Sequence, residues 1–277
     1  MWPLRHDAPA PGGPRGAWPA SRPAPAGLVA GVMAEVSTIG AYFAVSTDPE
    51  DRTGQAWRPF GVLFTDLGAL TAMIANFRGR LNTTETRVAA SILFQGLAAR
   101  LWSPAVGAAV VCDLFVDLTP ERVHWRPEPT GPLPLWTPHL PGWEIAEPGQ
   151  VVEPLYHNVV TGLLEPLALA VQETTKIAPA LLWGNAASAL AGTLGTIAGQ
   201  RPELAARAVA LGRGLLSLGV LEGTGELAGP TRGRLSFARR SCCLYYRVPG
   251  GGMCGDCALA RPRPGRDHHS TGRESTP

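Results

Sequence analysis

Four of the five cysteines of the chain lie in one segment near its C-terminal end. They follow the spacing Cys-Cys-x10-Cys-x2-Cys, formed by Cys242, Cys243, Cys254 and Cys257. Thiols concentrated in this way either form disulfides or bind a metal, and adjacent cysteines rarely bond each other without strain. The glycine run at 250–252 allows the chain to turn back, so that the two cysteine pairs can meet. The segment is therefore predicted to form a compact site of four thiolates.

The spacing alone leaves the identity of the metal open. A structural zinc site usually takes its ligands from two separate Cys-x2-Cys turns, and only Cys254 and Cys257 have that spacing. Four thiolates also suit a [2Fe–2S] cluster, in which each iron takes two sulfurs, and adjacent cysteines can serve such a cluster because its two irons are separate centres. We favour the iron–sulfur interpretation and keep zinc, a redox-active dithiol and disulfides as alternatives.

The segment Ser241–Arg247, followed by Gly252–Cys257, resembles the C-terminal signature of the FhuF-type ferric-siderophore reductases. Two further segments, Leu182–Ser188 and Arg87–Ser91, are similar to that family as well, so the resemblance runs from about residue 37 to residue 260. It implies that the four cysteines bind a [2Fe–2S] cluster. It also implies an oxidoreductase that transfers one electron to a ferric siderophore, for example of the hydroxamate type, and so releases Fe(II) in the cytoplasm.

The expected chemistry needs no acid, base or nucleophile. Siderophores bind Fe(III) through hard oxygen donors, and Fe(II) is a much poorer match for them, so one-electron reduction loosens the complex. The sequence has no Gly-x-Gly-x-x-Gly fingerprint after a predicted strand and no Walker loop. We therefore expect an external electron donor such as ferredoxin with its reductase. Two alternatives to a reductase stay open. The first is an iron–sulfur sensor or electron-transfer protein, and the second is an interaction domain that a zinc ion stabilises.

Five more residues are candidates for contact with the substrate or the donor. Arg239, Arg240 and Arg247 flank the cysteines, where they can offset negative charge or dock an acidic donor. Trp183 and Asn185 are candidates for the wall of a substrate pocket.

The remaining cysteine and the histidines are expected to be inert. Cys112 is predicted to be a small buried hydrophobic residue. His139 and His157 have no partner at metal-ligand spacing, and the pair at 268–269 lies in a predicted tail.

Composition and charge exclude other classes of protein. The net charge is +2, Lys176 is the only lysine, and no arginine stripe is interleaved with aromatic residues, which argues against nucleic-acid binding. No secretory signal is recognisable, so we expect a cytoplasmic protein, with peripheral attachment to the inner face of the membrane as an option. Ile177–Gly199 carries no charge over 23 residues, but its small residues, Pro179 and Asn185 favour a buried helix over a transmembrane segment.

These features predict a mainly α fold with a small β component (α+β), built as a helical core with a short C-terminal iron–sulfur lobe. The predicted organisation is a disordered extension (residues 1–27), a helical substrate-binding core (28–229), a cysteine lobe (230–260) and a disordered tail (261–277).

Within this organisation, hydrophobic periodicity and capping residues predict individual elements. Residues 120–154 hold nine of the 27 prolines and are predicted to be an extended connection that tryptophans attach to the core. Helices are predicted at Asp66–Gly79, from a cap at Asn82 to Leu101, at Val151–Gln172 and at Pro202–Leu221. A hairpin of two strands is predicted over Val110–Trp125, and single short strands are predicted at Leu235–Phe237 and Leu244–Val248.

Overall fold

The computed structural model describes residues 22–52, 56–231 and 234–260. Its α-helices are α1 (Ala26–Ser37), α2 (Val62–Thr65), α3 (Leu67–Arg80), α4 (Thr86–Cys112), α5 (Val152–Leu155), α6 (Glu165–Thr175), α7 (Pro179–Gln200) and α8 (Ala205–Leu216). Its strands are β1 (Arg22–Pro23), β2 (Arg58–Pro59), β3 (Leu114–Val116), β4 (His124–Trp125), β5 (Leu135–Trp136), β6 (Gly142–Glu144), β7 (Gly225–Thr231) and β8 (Arg234–Arg239). Of the residues described, 57% are helical and 11% are in strands, so the predicted α+β class with a helical core is confirmed.

Helix α4 forms the centre of the core. It packs against α7, α3 and α1, and its side chains are buried on nearly every side between Val88 and Val110. A helix that is apolar all round is stable only when other elements surround it. The Trp102 indole donates to the Ala186 carbonyl of α7 at 3.2 Å, and the Ser103 and Thr193 hydroxyls lie 3.0 Å apart. These bonds pair some of the polar groups along the α4–α7 contact, and Gln95 donates to the Ser188 hydroxyl at 3.1 Å in the same contact.

Helix α3 matches its prediction, whereas the predicted limits of α4 are wrong. The Asp66 side chain caps α3 by accepting from the N–H groups of Gly68 and Ala69. Asn82, the predicted cap of α4, has a φ of +49° and lies in the turn before the helix, which begins at Thr86. At its other end α4 continues through Pro104 to Cys112. An internal proline costs about 3 kcal/mol, and we attribute its acceptance to complete burial of this part of the helix.

The predicted hairpin over Val110–Trp125 is also wrong. Its first residues belong to α4, and its two short strands lie in different sheets. In the first sheet, β6 is central and pairs antiparallel with β1 and β3; in the second, β4 is central and pairs with β2 and β5.

The tryptophans of the proline-rich connection attach it to the core, as predicted. Trp125 and Trp136 are buried, and the Trp136 indole donates to the Asp48 carbonyl at 2.7 Å. Trp143 packs against Phe115 with ring centres 5.7 Å apart. These anchors compensate for the regular hydrogen bonds that the prolines prevent.

Residues 22–27 differ from the predicted disorder of the N-terminal extension. β1 pairs with β6, and α1 begins at Ala26 with Val29 and Val32 buried. Residues 1–21 and 261–277, the rest of the two predicted disordered ends, lie outside the described residues.

The segment predicted as one helix over Val151–Gln172 is helical but not uniform. A π-helix (Tyr156–Leu164) separates α5 from α6, and its Asn158 amide accepts from the N–H of Leu118 at 3.1 Å. Pro202–Leu221 consists of a 3₁₀ turn, α8 and a second 3₁₀ turn, close to its prediction.

Helix α7 confirms the buried-helix interpretation of Ile177–Gly199. Thirteen of its residues are buried, with Asn185 among them. Across the described ranges, no helix is both long and apolar enough to cross a membrane. β7 and β8 form an antiparallel hairpin that packs on α7 and leads into the cysteines. The predicted strand at Leu235–Phe237 lies within β8 and is confirmed.

Candidate metal centre

Beyond β8, the rest of the cysteine lobe forms two adjacent turns. Cys242 and Cys243 precede a 3₁₀ turn (Tyr245–Arg247), and Leu244 before it has a φ of +68°. The strand predicted at Leu244–Val248 is therefore wrong, because the chain must turn here to bring the second cysteine pair back.

The glycine run makes this return possible, as predicted. Gly250 has a φ of +72°, which a residue with a side chain rarely adopts. At Gly251, a Cβ atom would lie 2.6 Å from the Tyr245 carbonyl oxygen and 2.8 Å from that of Val248. Only glycine fits at that point.

The turns bring sulfurs from the two halves of the lobe together. The Sγ atoms of Cys243 and Cys254 lie 3.5 Å apart, and all four cysteines are free thiols. Cys243 and Cys257 are buried, whereas Cys242 and Cys254 are half-buried. Burial, with hydrogen bonds to Asp256 and Cys243, raises the pKa of Cys254 to about 12.

Backbone N–H groups support the other two sulfurs. The N–H of Leu244 donates to Cys242 Sγ and the N–H of Leu259 donates to Cys257 Sγ, both at 3.4 Å. Such bonds stabilise thiolates and tune the potential of iron–sulfur clusters.

The donor set fits a thiolate-bound metal or cluster. Soft thiolate ligands select zinc, Cu(I) and iron–sulfur clusters. Three buried polar atoms that lack a hydrogen-bond partner lie just before Cys242: Nε and Nη1 of Arg239 and Oγ of Ser241. Within the described ranges, however, no three Cys, His, Asp or Glu side chains form a group with metal-site geometry. The contact between sulfurs is thus established for Cys243 and Cys254, and the ligand set of four stays a prediction.

A chain of hydrogen bonds ties the cysteine lobe to the two central helices. The Ser91 hydroxyl of α4 donates to the Cys243 carbonyl at 2.7 Å. The Asn185 amide of α7 donates to the Ser91 carbonyl at 2.8 Å and to its hydroxyl at 2.9 Å. The Asn185 side-chain oxygen accepts a bond from Nη2 of Arg239. The three segments that carried the family resemblance therefore meet at one place.

Helix α7 lies in close contact with the cysteine lobe at Gly184. A Cβ atom on Gly184 would collide with the Ser241 hydroxyl and would lie 3.3 Å from Ser241 Cβ and 3.5 Å from Arg239 Nη2. Glycine at this position allows the backbone of α7 to lie directly against the residues that precede Cys242. Trp183, beside it, is half-buried and packs against the hydrophobic core.

The three candidate arginines have different environments. Arg239 is only 3% exposed, so it is not available as a surface docking charge. Arg240 is exposed and pairs with Glu226 at 3.1 Å, and Arg247 pairs with Glu85 at 2.9 Å. Asn185 is fully buried. Neither Asn185 nor Trp183, the two candidates for the wall of a substrate pocket, lines the large cavity beside the cysteines, so that prediction is wrong for this cavity.

A large cavity lies beside the cysteines, and sequence analysis did not find it. Its volume is about 1120 Å³, and its walls come from α3, α4, α7, β8 and the loop before residue 44. Cys243, Cys254, Tyr245 and Asp256 of the cysteine lobe line one end. The short side chains that α7 turns toward it, at Ser188, Gly192, Gly195 and Thr196, are the one sequence signal that could have indicated the cavity.

Charged side chains from outside the cysteine lobe also line the cavity. Arg58 and Arg80 are exposed, and Arg80 lies 5.3 Å from the centre of the Phe77 ring. Arg100 is buried and donates to four main-chain carbonyls, those of Ala41, Tyr42, Ala44 and Leu133. Burial lowers the pKa of Arg100 to about 10. Arg100 therefore fixes the loops of the wall.

The other candidates for metal binding lie elsewhere. Cys112 is half-buried at the end of α4, and its Sγ lies 3.6 Å from a Glu35 oxygen. Burial, with the nearby Glu35 carboxylate, raises the pKa of Cys112 to about 11, which favours the protonated thiol. His139 and His157 belong to no metal-binding group within the described ranges. The pair at 268–269 lies outside them.

Fold and site together define a mainly helical α+β protein with a four-cysteine lobe at one end of a large cavity. Residues 239–259 match the family model of the FhuF 2Fe-2S C-terminal domain. The resemblance predicted from the cysteine signature is therefore confirmed for this segment. A comparison with curated proteins found no match.

Proposed function

We propose that the protein is an iron–sulfur ferric-siderophore reductase that acts in the cytoplasm. The observation that carries the proposal is the position of the cavity, whose wall includes both Cys243 and Cys254. A ligand in the cavity lies next to the thiols, without an intervening layer of protein. The match of residues 239–259 to a 2Fe-2S domain supports the choice of cofactor.

In this proposal, Cys242, Cys243, Cys254 and Cys257 hold a [2Fe–2S] cluster. When bound, the cluster supplies one electron, which an external donor replaces, to convert the Fe(III) of the substrate into Fe(II). Because hard oxygen donors hold Fe(II) far less tightly, the metal then leaves its chelator. The protein residues provide binding, orientation and the exclusion of water.

The size and charge of the cavity suit a ferric siderophore. Pockets for drug-sized ligands usually measure roughly 300–1,000 Å³, and this cavity of about 1120 Å³ exceeds that range. Arg58 and Arg80 offer N–H donors to the oxygen-rich periphery of a chelate, and Phe77 offers an apolar face. Tyr245 and Asp256 line the end nearest the thiols, where they orient the bound metal centre.

The electron donor in this proposal is a small redox protein such as ferredoxin. The structure changes what we expect of its docking, because Arg239 is buried and Arg240 and Arg247 are each paired with a glutamate. A paired charge exerts little long-range attraction. We therefore no longer expect these arginines to steer an acidic donor strongly.

The first test is the cofactor itself. Protein purified without oxygen should contain iron and acid-labile sulfide and should be red-brown. A colourless protein with bound zinc would support the interaction-domain alternative, and a disulfide between Cys243 and Cys254 would support the redox dithiol. Either result would contradict the proposal.

The second test concerns the cavity and uses two glycines of α7. Gly192 lines the cavity, Gly199 does not, and both are exposed with open space around the Cα atom. Gly192→Trp should lower kcat/KM for a ferric hydroxamate, measured with an Fe(II) trap, by tenfold or more, which is about 1.4 kcal/mol. Gly199→Trp should leave kcat/KM unchanged, and both variants should keep the cluster spectrum.

If the two variants behave alike, the cavity is not the substrate site. If cluster-loaded protein reduces no ferric siderophore with any donor, the sensor alternative replaces the reductase.

A further inference from the structure

Arg239 is a buried cation next to the cysteines. It ends β8, lies three residues before Cys242, and is 3% exposed. Nη2 donates to Asn185, but Nε and Nη1 have no hydrogen-bond partner, and no described carboxylate lies within ion-pair distance of the guanidinium. A guanidinium removed from water is costly unless negative charge or further hydrogen bonds compensate for it.

The position of this cation is fixed by its neighbours. Asn185 is fully buried and gives both of its amide bonds to Ser91, so its side-chain oxygen must face Arg239. Ser91 in turn donates to the Cys243 carbonyl. The main-chain N–H of Arg239 donates to the Asp256 carbonyl at 3.4 Å, between the second pair of cysteines. Arg239 is thus linked to both halves of the cysteine lobe.

The guanidinium of Arg239 lacks a compensating negative charge, and the four cysteines would supply one when they bind a cluster. Four thiolates that hold an iron–sulfur cluster leave the centre with net negative charge, and the reduced centre carries one more negative charge than the oxidised one. A fixed buried cation stabilises the reduced form more than the oxidised form, because the reduced form carries the additional negative charge. The low dielectric constant of a buried site makes this difference larger.

We propose that Arg239, held in place by Asn185 and Ser91, is a built-in counter-charge that raises the reduction potential of the four-cysteine centre. Arg239 acts as a positioning and tuning residue and does not contact the substrate. This inference rests on the cofactor part of the proposed function and is independent of the siderophore.

The chain offers a matched control in the next residue. Arg240 carries the same charge, but its side chain is 62% exposed and pairs with Glu226, itself 71% exposed. Water and salt screen an exposed pair of this kind. Loss of the Arg240 charge should therefore leave the potential unchanged.

The test is a redox titration of the holoprotein, followed by the visible absorbance of the cluster. In Arg239→Gln the reduction equilibrium should become less favourable by at least tenfold, a shift of about 59 mV toward negative potential. Arg239→Lys should retain most of the wild-type potential, and Arg240→Gln all of it. The shift in Arg239→Gln should be the same at low and high salt, because the charge is buried.

A second variant changes the charge beside Arg239 and keeps the arginine, although it gives up the two bonds that the Asn185 amide donates to Ser91. Asn185→Asp places a carboxylate against Arg239 and cancels its charge without removing the arginine. Its potential should shift in the same direction as that of Arg239→Gln. If Arg239→Gln loses its cluster, the potential of Asn185→Asp shows whether the charge of Arg239 raises the reduction potential.

Several results would overturn the inference. Equal potentials in Arg239→Gln and Arg240→Gln, an equal shift in Arg239→Lys and Arg239→Gln, or an unchanged potential in Asn185→Asp would each exclude a charge effect. Wild-type protein without iron and sulfide would overturn the cofactor assignment as well. The iron and sulfide analysis, made before the titration, separates these two failures.

Discussion

The contact between α7 and the cysteine lobe can be tested with the same substitution at two glycines of one helix. Gly192 is exposed, and a Cβ there would meet nothing within 4 Å. Gly192→Ala should therefore stabilise the protein by about 0.4–1 kcal/mol, because alanine loses less backbone entropy in a helix. Gly184→Ala has the same entropic gain, but its Cβ would collide with the Ser241 hydroxyl.

The structure indicates how much the collision at Gly184 should destabilise the protein. The Ser241 hydroxyl has no hydrogen-bond partner, so it can rotate away without losing a bond. Ser241 Cβ would still lie 3.3 Å from the new methyl group, so the backbones must separate by a few tenths of an ångström. Overpacking of this kind costs about 1–3 kcal/mol. Gly184→Ala should thus be less stable than Gly192→Ala by roughly 1–3 kcal/mol, or several degrees in Tm.

Thermal unfolding of the holoprotein, followed by circular dichroism, measures this difference. Ser241→Ala removes the colliding hydroxyl, so Gly184→Ala should cost less in that background than in the wild type. If Gly184→Ala stabilises the protein as much as Gly192→Ala does, the close approach of α7 to Ser241 is wrong, and with it the description of how the lobe is held.

Two further predictions concern the cluster and its donor. Serine at any of Cys242, Cys243, Cys254 or Cys257 should abolish or shift the cluster spectrum, whereas Cys112→Ser should leave spectrum and iron content unchanged; the reverse pattern would contradict the ligand assignment. NADPH alone should leave the cluster oxidised in a stopped-flow experiment, whereas ferredoxin with its reductase should reduce it at a rate that changes little with salt, since Arg240 and Arg247 are already paired. Rapid reduction by NADPH would indicate a nucleotide site, and a steep salt dependence would indicate docking through unpaired charges.

The return of the chain between the two cysteine pairs was predictable because its determinants are local. The two cysteine pairs and the glycine run lie within 16 residues, and the conformation of Gly250 follows from its type. The contact between Cys243 and Cys254 needs only that one turn closes. The buried nature of α7 was also predictable, because small residues, a proline and an asparagine within an uncharged segment argue against a membrane.

The cavity and the hydrogen-bond chain were not predictable, because they depend on which elements meet. The bond between Arg239 and Asn185 joins residues 54 positions apart, and the bond between Asn185 and Ser91 spans 94. Hydrophobic periodicity predicts which face of a helix is buried, but it does not identify the element that packs against that face. The same limit explains the error in the predicted end of α4: Val110–Cys112 has the composition of a strand, but the packing of α4 against the surrounding helices extends the helix to Cys112.

The burial of Arg239, in contrast, could have been inferred from the sequence. Side chains along a strand alternate between its two faces, so Leu235, Phe237 and Arg239 of β8 share one face. Leu235 and Phe237 are half-buried against the hydrophobic core, and Arg239 on the same face is buried, whereas Arg240 on the other face is exposed. In the sequence, Arg239 and Arg240 form a basic pair before the cysteines and look equivalent. As neighbours at the end of a strand, however, they point to opposite faces of the sheet. A charged residue on the apolar face of a strand needs a compensating charge, and in our proposal the cysteines that follow Arg239 supply that charge when they bind the cluster.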